Sequence, residues 1–319
     1  MEIAKSVPTE LRSARTCGTI ARMTQSNVPI MDYEGSPWRT EFWKGRAYED
    51  AVERIALKKT LPARGTRLVE IGAGFGRLAD LYRGYEQVIL LDYARSMLKD
   101  AVARLGSDAR FIFVAADLYN LPFADNAFDT ALTIRVLHHV ADIPRAFAQV
   151  ARVVHSRGTY ITDFANKRHL KAIAKYYLAR ARGIRAVNPF SLEPYEFVKL
   201  NFDYHPSYIR QNLEQVGFHI QDSLAVSTFR LGALKRAVPN ALLVSCDDAL
   251  QRPTARFAIA PSILYRAENG KAGAARVNAV LWRCVKCGAA KMNARETAMQ
   301  CEQCGAQFFQ TDGIWEMKV

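Results

Sequence analysis

The sequence predicts an α/β fold built on a mostly parallel sheet, and two observations carry that reading. From Arg67 onward, short apolar runs alternate with helical patterns, the rhythm of strands joined by right-handed crossovers. The first of these runs lies in Leu68-Val-Glu-Ile-Gly-Ala-Gly-Phe-Gly-Arg-Leu78, where a carboxylate is followed by glycines at alternate positions. That pattern reads as a buried strand turning sharply into a helix. Gly72, Gly74 and Gly76 keep side chains out of the turn, so a ligand can lie on the backbone near the helix N-terminus.

Taken in order, residues 1 to 45 read as irregular, with an aromatic cluster at Tyr33, Trp38, Phe42 and Trp43. A helix fits Arg46 to Thr60, with Tyr48, Val52, Ile55 and Leu57 on its apolar face and Pro62 closing it. Strands are expected at Arg67–Ile71, Gln87–Asp92, Phe111–Ala115, Phe128–Thr133 and Thr159–Asp163, and helices at Arg77–Tyr85, Ala94–Leu105 and Ile143–Val154. The rhythm then breaks. Between Asp163 and Glu193 there is no acidic residue, yet Lys167, Arg168, Lys171, Lys175, Arg180, Arg182 and Arg185 all occur. Leu170, Ile173, Tyr177 and Leu178 are expected to face the body of the protein from a basic amphipathic helix. A loop from Pro189 to Pro206 carries Tyr195, Phe197, Phe202 and Tyr204. A helix at Ser207–Val216, a strand at Phe218–Val226, helical residues 231–251 and a strand at Arg256–Tyr265 follow, the two late strands adding an antiparallel edge. Residues 267–276 read as a linker to a small cysteine-containing module.

At 319 residues and 50% hydrophobic, the chain can bury a full core. No apolar run approaches the ~20 residues of a membrane span, and the N-terminal residues lack a signal-peptide core, so a cytoplasmic location is expected. A net charge of +13 suits an anionic partner, RNA or an anionic surface reached through residues 167–185, and equally a basic soluble enzyme.

Two nucleotide-type readings compete for the glycine turn. A dinucleotide dehydrogenase would carry G-x-G-x-x-G, whereas the spacing here is G-x-G-x-G. Asp92 at the end of the second strand suits ribose hydroxyls in either case. Downstream, Asp117 and Leu118 follow the third strand, Leu121-Pro-Phe123 turns the chain, and the fourth strand leads into Arg135-Val-Leu-His-His-Val140. Ligands of open α/β sheets bind beyond the carboxyl ends of the strands, so one crevice can collect Glu70, Asp92, Asp117 and Arg135.

These elements together resemble the class I S-adenosylmethionine-dependent methyltransferases, in the type 11 group that includes quinone-biosynthesis enzymes. The resemblance covers residues 45–165, and 206–266 by pattern. It implies a Rossmann-like fold with a seven-stranded, mostly parallel sheet and an S-adenosylmethionine cofactor. Glu70, Gly72, Ala73, Gly74 and Gly76 would hold the methionine part, Asp92 the ribose, Tyr93 the adenine face, and Asp117 with Leu118 the adenine edge. Arg135 would stand at the methionyl and substrate end. One departure is visible: the family's Pro-Gly-Gly turn before the fifth strand is Ser156-Arg157-Gly158 here, with only local change expected. His138 and His139 are the imidazoles available as a general base, the other reading being that one packs and orients the loop.

Cys284-Val-Lys-Cys287-Gly288 and Cys301-Glu-Gln-Cys304-Gly305 form two knuckles whose four thiolates favour one structural zinc ion over a redox pair or an iron–sulfur centre. The C-terminal piece thus resembles a zinc ribbon. The expected organisation is a segment and cap helix over 1–60, a methyltransferase domain over 61–266 with insertions at 165–206 and 231–251, and a linker and ribbon over 267–319. The acceptor is expected to be a small or lipid-like molecule. RNA held by the insertion and ribbon is the alternative, and a non-catalytic cofactor-binding regulator is the reading from a different class.

Overall fold

The structure is a computed structural model and describes residues 28–36 and 42–318; Cys17 and Trp38 lie outside them. The elements run α1 (Ala47–Thr60), β1 (Gly65–Ile71), β2 (Tyr85–Asp92), α2 (Arg95–Leu105), β3 (Phe111–Ala115), β4 (Phe128–Thr133), α3 (Ile143–Val153) and β5 (Val154–Ala165). They continue with α4 (Leu170–Ala181), β6 (Tyr195–Val198), β7 (Asn201–Asp203), α5 (Pro206–Gln215), β8 (Phe218–Val226), α6 (Gly232–Ala237), α7 (Asn240–Ala255) and β9 (Ser262–Asn269). The ribbon supplies β10 (Met292–Ala294), β11 (Ala298–Cys301), β12 (Gln307–Thr311) and β13 (Ile314–Glu316).

One sheet runs in the order β10-β11-β12-β13-β3-β2-β1-β4-β5-β9-β8, and β6 pairs with β7 apart from it. Strands β3, β2, β1, β4 and β5 are mutually parallel, while β9 is antiparallel to both β5 and β8. This is the Rossmann-like methyltransferase fold. The central strands are apolar on both faces: Val69, Ile71, Ile89 and Leu91 join the core under α3 and α5, and Leu68, Val88 and Leu90 join the core under α1 and α2. Helix α3 begins at Asp142, whose carboxylate accepts from Arg145 N at 3.0 Å with Pro144 in the first turn, and it buries Ile143, Ala146, Phe147 and Val150. Helix α1 stops at Leu61, extended before Pro62.

The structure departs from the expected elements in several places. No α-helix follows the glycine turn; residues 77–84 form turns with one 3-10 turn at Ala79–Leu81. Gly72, Gly74 and Gly76 carry φ of +76°, +54° and +70°, so the chain is still turning at Gly76, and β2 begins at Tyr85. The short stretch between cannot repay helix nucleation and instead buries Leu78, Ala79 and Tyr82. The residues Ser156-Arg157-Gly158 are no turn before the fifth strand but a bulge inside β5, with Arg157 at φ +64° and the register with β4 jumping between Phe128 and Thr130. The late strand lies at 262–269 rather than 256–265, because pairing with β5 and β8 continues through Asn269, which shortens the expected linker. Residues 231–251 divide into two helices, the second reaching Ala255.

Two further expectations are corrected. Helix α4 has no buried residue: Leu170, Tyr177 and Leu178 are more than half exposed, so its apolar side does not face the body. The segment 189–206 is no open loop, since its residues 195–203 form the β6–β7 hairpin. The C-terminal cysteine-containing piece also joins the main sheet. Its last strand, β13, pairs in parallel with the edge strand β3, so the expected seven strands continue into the four of the ribbon.

Candidate active site

The carboxyl ends of β1, β2, β3 and β4 open on one cavity of about 180 Å³. Its wall includes Glu70, Gly72, Ala73, Gly74, Asp92, Tyr93, Asp117, Leu118, Arg135, His138 and His139; Gly76 is not part of it and turns the chain behind, its N–H bonded to Ala73 O at 2.9 Å. The floor is tight at Gly72, where an added Cβ would stand 2.3 Å from Val136 Cγ2 in a left-handed backbone. Gly74 is looser, the nearest atom to its added Cβ being Met97 Cε at 3.5 Å.

Three carboxylates surround this floor. Glu70 is buried, and its Oε2 is without a hydrogen-bond partner. Burial lifts its pKa to about 7, against the pull of Tyr82 and Arg77. Asp92 accepts from Gly74 N at 2.7 Å and Ala94 N at 2.9 Å, which bends the turn toward β2; burial lifts it to about 6. Asp117 accepts from Tyr119 N at 2.7 Å, and burial raises it too. With the Tyr82 hydroxyl as its buried neighbour and Oε2 without a hydrogen-bond partner, Glu70 keeps an acceptor for a cationic or N–H-bearing ligand.

At the β4 end, Arg135 sits in the left-handed region at φ +59°. Its N–H donates to Asp163 Oδ1 at 2.6 Å, and its guanidinium pairs with buried Glu53 at 2.5 Å and lies 5.0 Å from the Trp43 ring. Arg77 reaches Glu53 and Asp50 and lies 4.0 Å from the centre of the same Trp43 ring. Arg135 is therefore anchored within an ion-pair network and presents to the cavity a side chain already committed. The two histidines differ. His139 Nδ1 donates to Leu200 O at 3.0 Å, which leaves Nε2 to accept from the Tyr33 hydroxyl at 2.8 Å. Burial and the Asp92 charge raise Tyr33 to about 12, so its proton stays. His138, with its ring 3.9 Å from that of His139, makes no hydrogen bond among the described residues, and burial, His139 and two arginines hold it neutral.

Several wall residues were not picked out in the sequence. Ile30 and Val140 form a β-bridge, so residues 28–36 cross the cavity and bring Met31 and Tyr33 with them. Tyr33, Phe42 and Trp43 stood out in the sequence as parts of an aromatic cluster but without a role. Arg77 follows the last glycine directly, and that adjacency was its one available signal.

Away from the cavity, the Sγ atoms of Cys284, Cys287, Cys301 and Cys304 lie within 4.8 Å of one another and could hold one metal ion. The two knuckles repeat each other: Gly288 N donates to Cys284 O at 2.8 Å and Gly305 N to Cys301 O at 2.9 Å, both glycines at positive φ. The ribbon also braces the cofactor-side loops. Ala124 N and Leu281 O, and Arg283 N and Pro122 O, bond at 2.8 and 2.9 Å, and Asn120 donates to Val285 O at 2.9 Å. Past β13, Lys318 donates to Tyr93 O at 3.0 Å and lies 4.6 Å over its ring. Glu316 and Asp312 pair with Arg95 at the start of α2.

Residues 69–162 match the methyltransferase domain family. A demethylmenaquinone methyltransferase of Corynebacterium kroppenstedtii is 35% identical over 111 residues, 34% of this chain and 46% of that protein. A ubiquinone/menaquinone biosynthesis C-methyltransferase of Pseudomonas savastanoi is 28% identical over 227 residues, 67% of this chain and 85% of its own length. The chain spans about half the length of the first of these, and 85% of the second. Among solved structures, a chain from a Haloferax volcanii complex between a methyltransferase activator and a methyltransferase superposes with a TM-score of 0.50 at 15% identity, covering 74% of this chain and 95% of that one. That likeness is one of fold.

Proposed function

We propose that this chain is an S-adenosylmethionine-dependent methyltransferase acting on a lipid-like acceptor. The observation that carries the cofactor is the buried Oε2 of Glu70, without a hydrogen-bond partner, beside a glycine turn whose Gly72 leaves no room for a Cβ. Glu70 would take the ammonium of the methionine part over Gly72, Ala73 and Gly74. Asp92 would take the ribose, with Tyr93, Asp117 and Leu118 about the adenine. When bound, the cofactor supplies an electrophilic sulfonium methyl. The protein's part is to hold an acceptor in line with that methyl, to exclude water and to take up a proton. His138 is the base in this reading, being neutral and unengaged, whereas His139 orients the wall through both ring nitrogens. Phe42, Trp43, Ile134 and Val136 make that end of the cavity apolar, which favours a hydrophobic acceptor, as do the quinone-modifying relatives.

A second reading, with RNA as acceptor, draws on the exposed cations of the 167–185 segment, and predicts binding that weakens steeply with salt. Zinc is the metal proposed for the four cysteines. Tetrahedral zinc with Zn–S bonds of ~2.3 Å sets sulfurs about 3.8 Å apart, against 3.7 Å for Cys284 to Cys304 and 3.5 Å for Cys287 to Cys301. With four protein ligands its role is structural. Calorimetric titration tests the cofactor assignment: S-adenosylmethionine should bind and NAD should not, and the reverse would overturn the proposal.

A further inference from the structure

We propose that the face formed by α4, the following segment and the β6–β7 hairpin docks on an anionic lipid bilayer, setting the mouth of the cavity at the membrane surface. Ten of the sixteen large apolar side chains exposed among the described residues fall within residues 170–198. Scattered single apolar residues are ordinary on a protein surface, but this concentration in one continuous segment is not. The segment is tied to the body and packed on itself: Leu170 N bonds to Ile259 O at 2.9 Å, and the Tyr176, Tyr177 and Phe190 rings pack on one another. Buried Lys167 ties the segment down by donating to Ser191 and Glu193. The exposed apolar groups are therefore presented by a built scaffold.

Charge selects the partner. Lys171, Lys175, Arg180, Arg182 and Arg185 are exposed on the same segment, with no ion pair among the described residues. Aliphatic Leu178, Ile184 and Val198 offer nothing to a phosphodiester backbone, yet they suit the acyl boundary of a bilayer while the cations meet its headgroups. A second copy of this chain is disfavoured, because a twofold contact would bring the same cations face to face.

The position of the face supplies the reason for docking. The hairpin that exposes Tyr195, Phe197 and Val198 leans on the cavity at its turn, where Leu200 O accepts from His139, and Tyr204 just beyond β7 donates to Val140 O. An acceptor dissolved in the bilayer would thus arrive at the His138 wall. This rests on the proposed lipid-like acceptor for its purpose, although docking itself is read without turnover.

The test is sedimentation of the full chain with vesicles of phosphatidylcholine alone or with about a third phosphatidylglycerol, alongside calorimetric binding of S-adenosylmethionine. Binding to the anionic vesicles only is expected. Arg180→Ala with Arg182→Ala should weaken it roughly thirtyfold, and Leu178→Ser with Phe197→Ser at least about tenfold, each leaving cofactor binding unchanged. Failure to bind anionic vesicles overturns the docking proposal, as does binding that both double variants retain, or salt-sensitive binding of a single-stranded RNA oligonucleotide in place of vesicles. Loss of cofactor binding in the wild-type chain would instead overturn the cofactor reading while leaving the vesicle result intact.

Discussion

Glu70 is the residue on which the cofactor assignment turns, and its burial makes the assignment testable by stability as well as by binding. An ordinary glutamate titrates near 4.5, while the folded chain holds this one near 7. Between those values the folded state keeps a proton that the unfolded chain releases, so the contribution of Glu70 to stability is present below pH 4.5 and is lost as pH rises through about 7. Glu70→Gln should therefore leave the cofactor-free protein at least as stable as wild type at pH 8 in a thermal melt. It should also weaken S-adenosylmethionine binding about ten- to a hundredfold, the scale of one lost charge-assisted hydrogen bond. A purely structural glutamate would show the opposite pattern. Cofactor affinity should fall below pH 7 as Glu70, and then Asp92 near 6, take up protons; a flat affinity between pH 8 and 5.5 would count against both assignments. Gly72→Ala should abolish binding more completely than Gly74→Ala, because only the former drives a Cβ into Val136. For the histidines, His138→Ala should lower kcat with cofactor affinity retained, whereas His139→Ala should loosen the Tyr33 and Leu200 contacts and lower the melting temperature.

At the scale of elements, the ribbon carries the least expected result. Its strand β13 continues the main sheet beyond β3, and its ends hold the Tyr93 and Leu121–Ala124 loops from outside. If the four cysteines hold the proposed zinc, a chelator should lower the melting temperature and weaken cofactor binding together, since a piece this small would depend on the metal to fold. Unchanged cofactor affinity in metal-free protein would show that the brace is incidental. The parallel core was legible in the sequence because its signals are local: Phe111–Ala115 and Phe128–Thr133 read as strands at their observed limits, and the helix read at Ile143–Val154 is observed at Ile143–Val153. What was illegible depends on pairing at a distance. The bulge at Arg157 exists because β5 must stay in register with β4, and β9 runs to Asn269 because β5 and β8 both pair with it there. The docking of β13 on β3 likewise has no local signature. The candidate residues that line the cavity were read from their places at strand ends, but the partners of Arg135 and His139 come from α1 and the β6–β7 hairpin, far away in sequence.

For the whole molecule, the described features share one direction. The cavity opens at the carboxyl ends of the strands, residues 28–36 cross it, the C-terminal strands brace its Tyr93 side, and the basic, apolar face flanks its histidine side. None of the helices among the described residues is long and apolar enough to cross a membrane; the bilayer contact proposed above is made by this face. The activity proposed for the molecule is transfer of a methyl group to a lipid-like acceptor. Its most direct measurement is incubation of the purified chain and radiolabelled S-adenosylmethionine with cell extract, followed by separation into organic-soluble, nucleic-acid, protein and small polar fractions. The account predicts label in the organic-soluble fraction, lost with Glu70→Gln; label in RNA or protein alone, or none in any fraction, would contradict it.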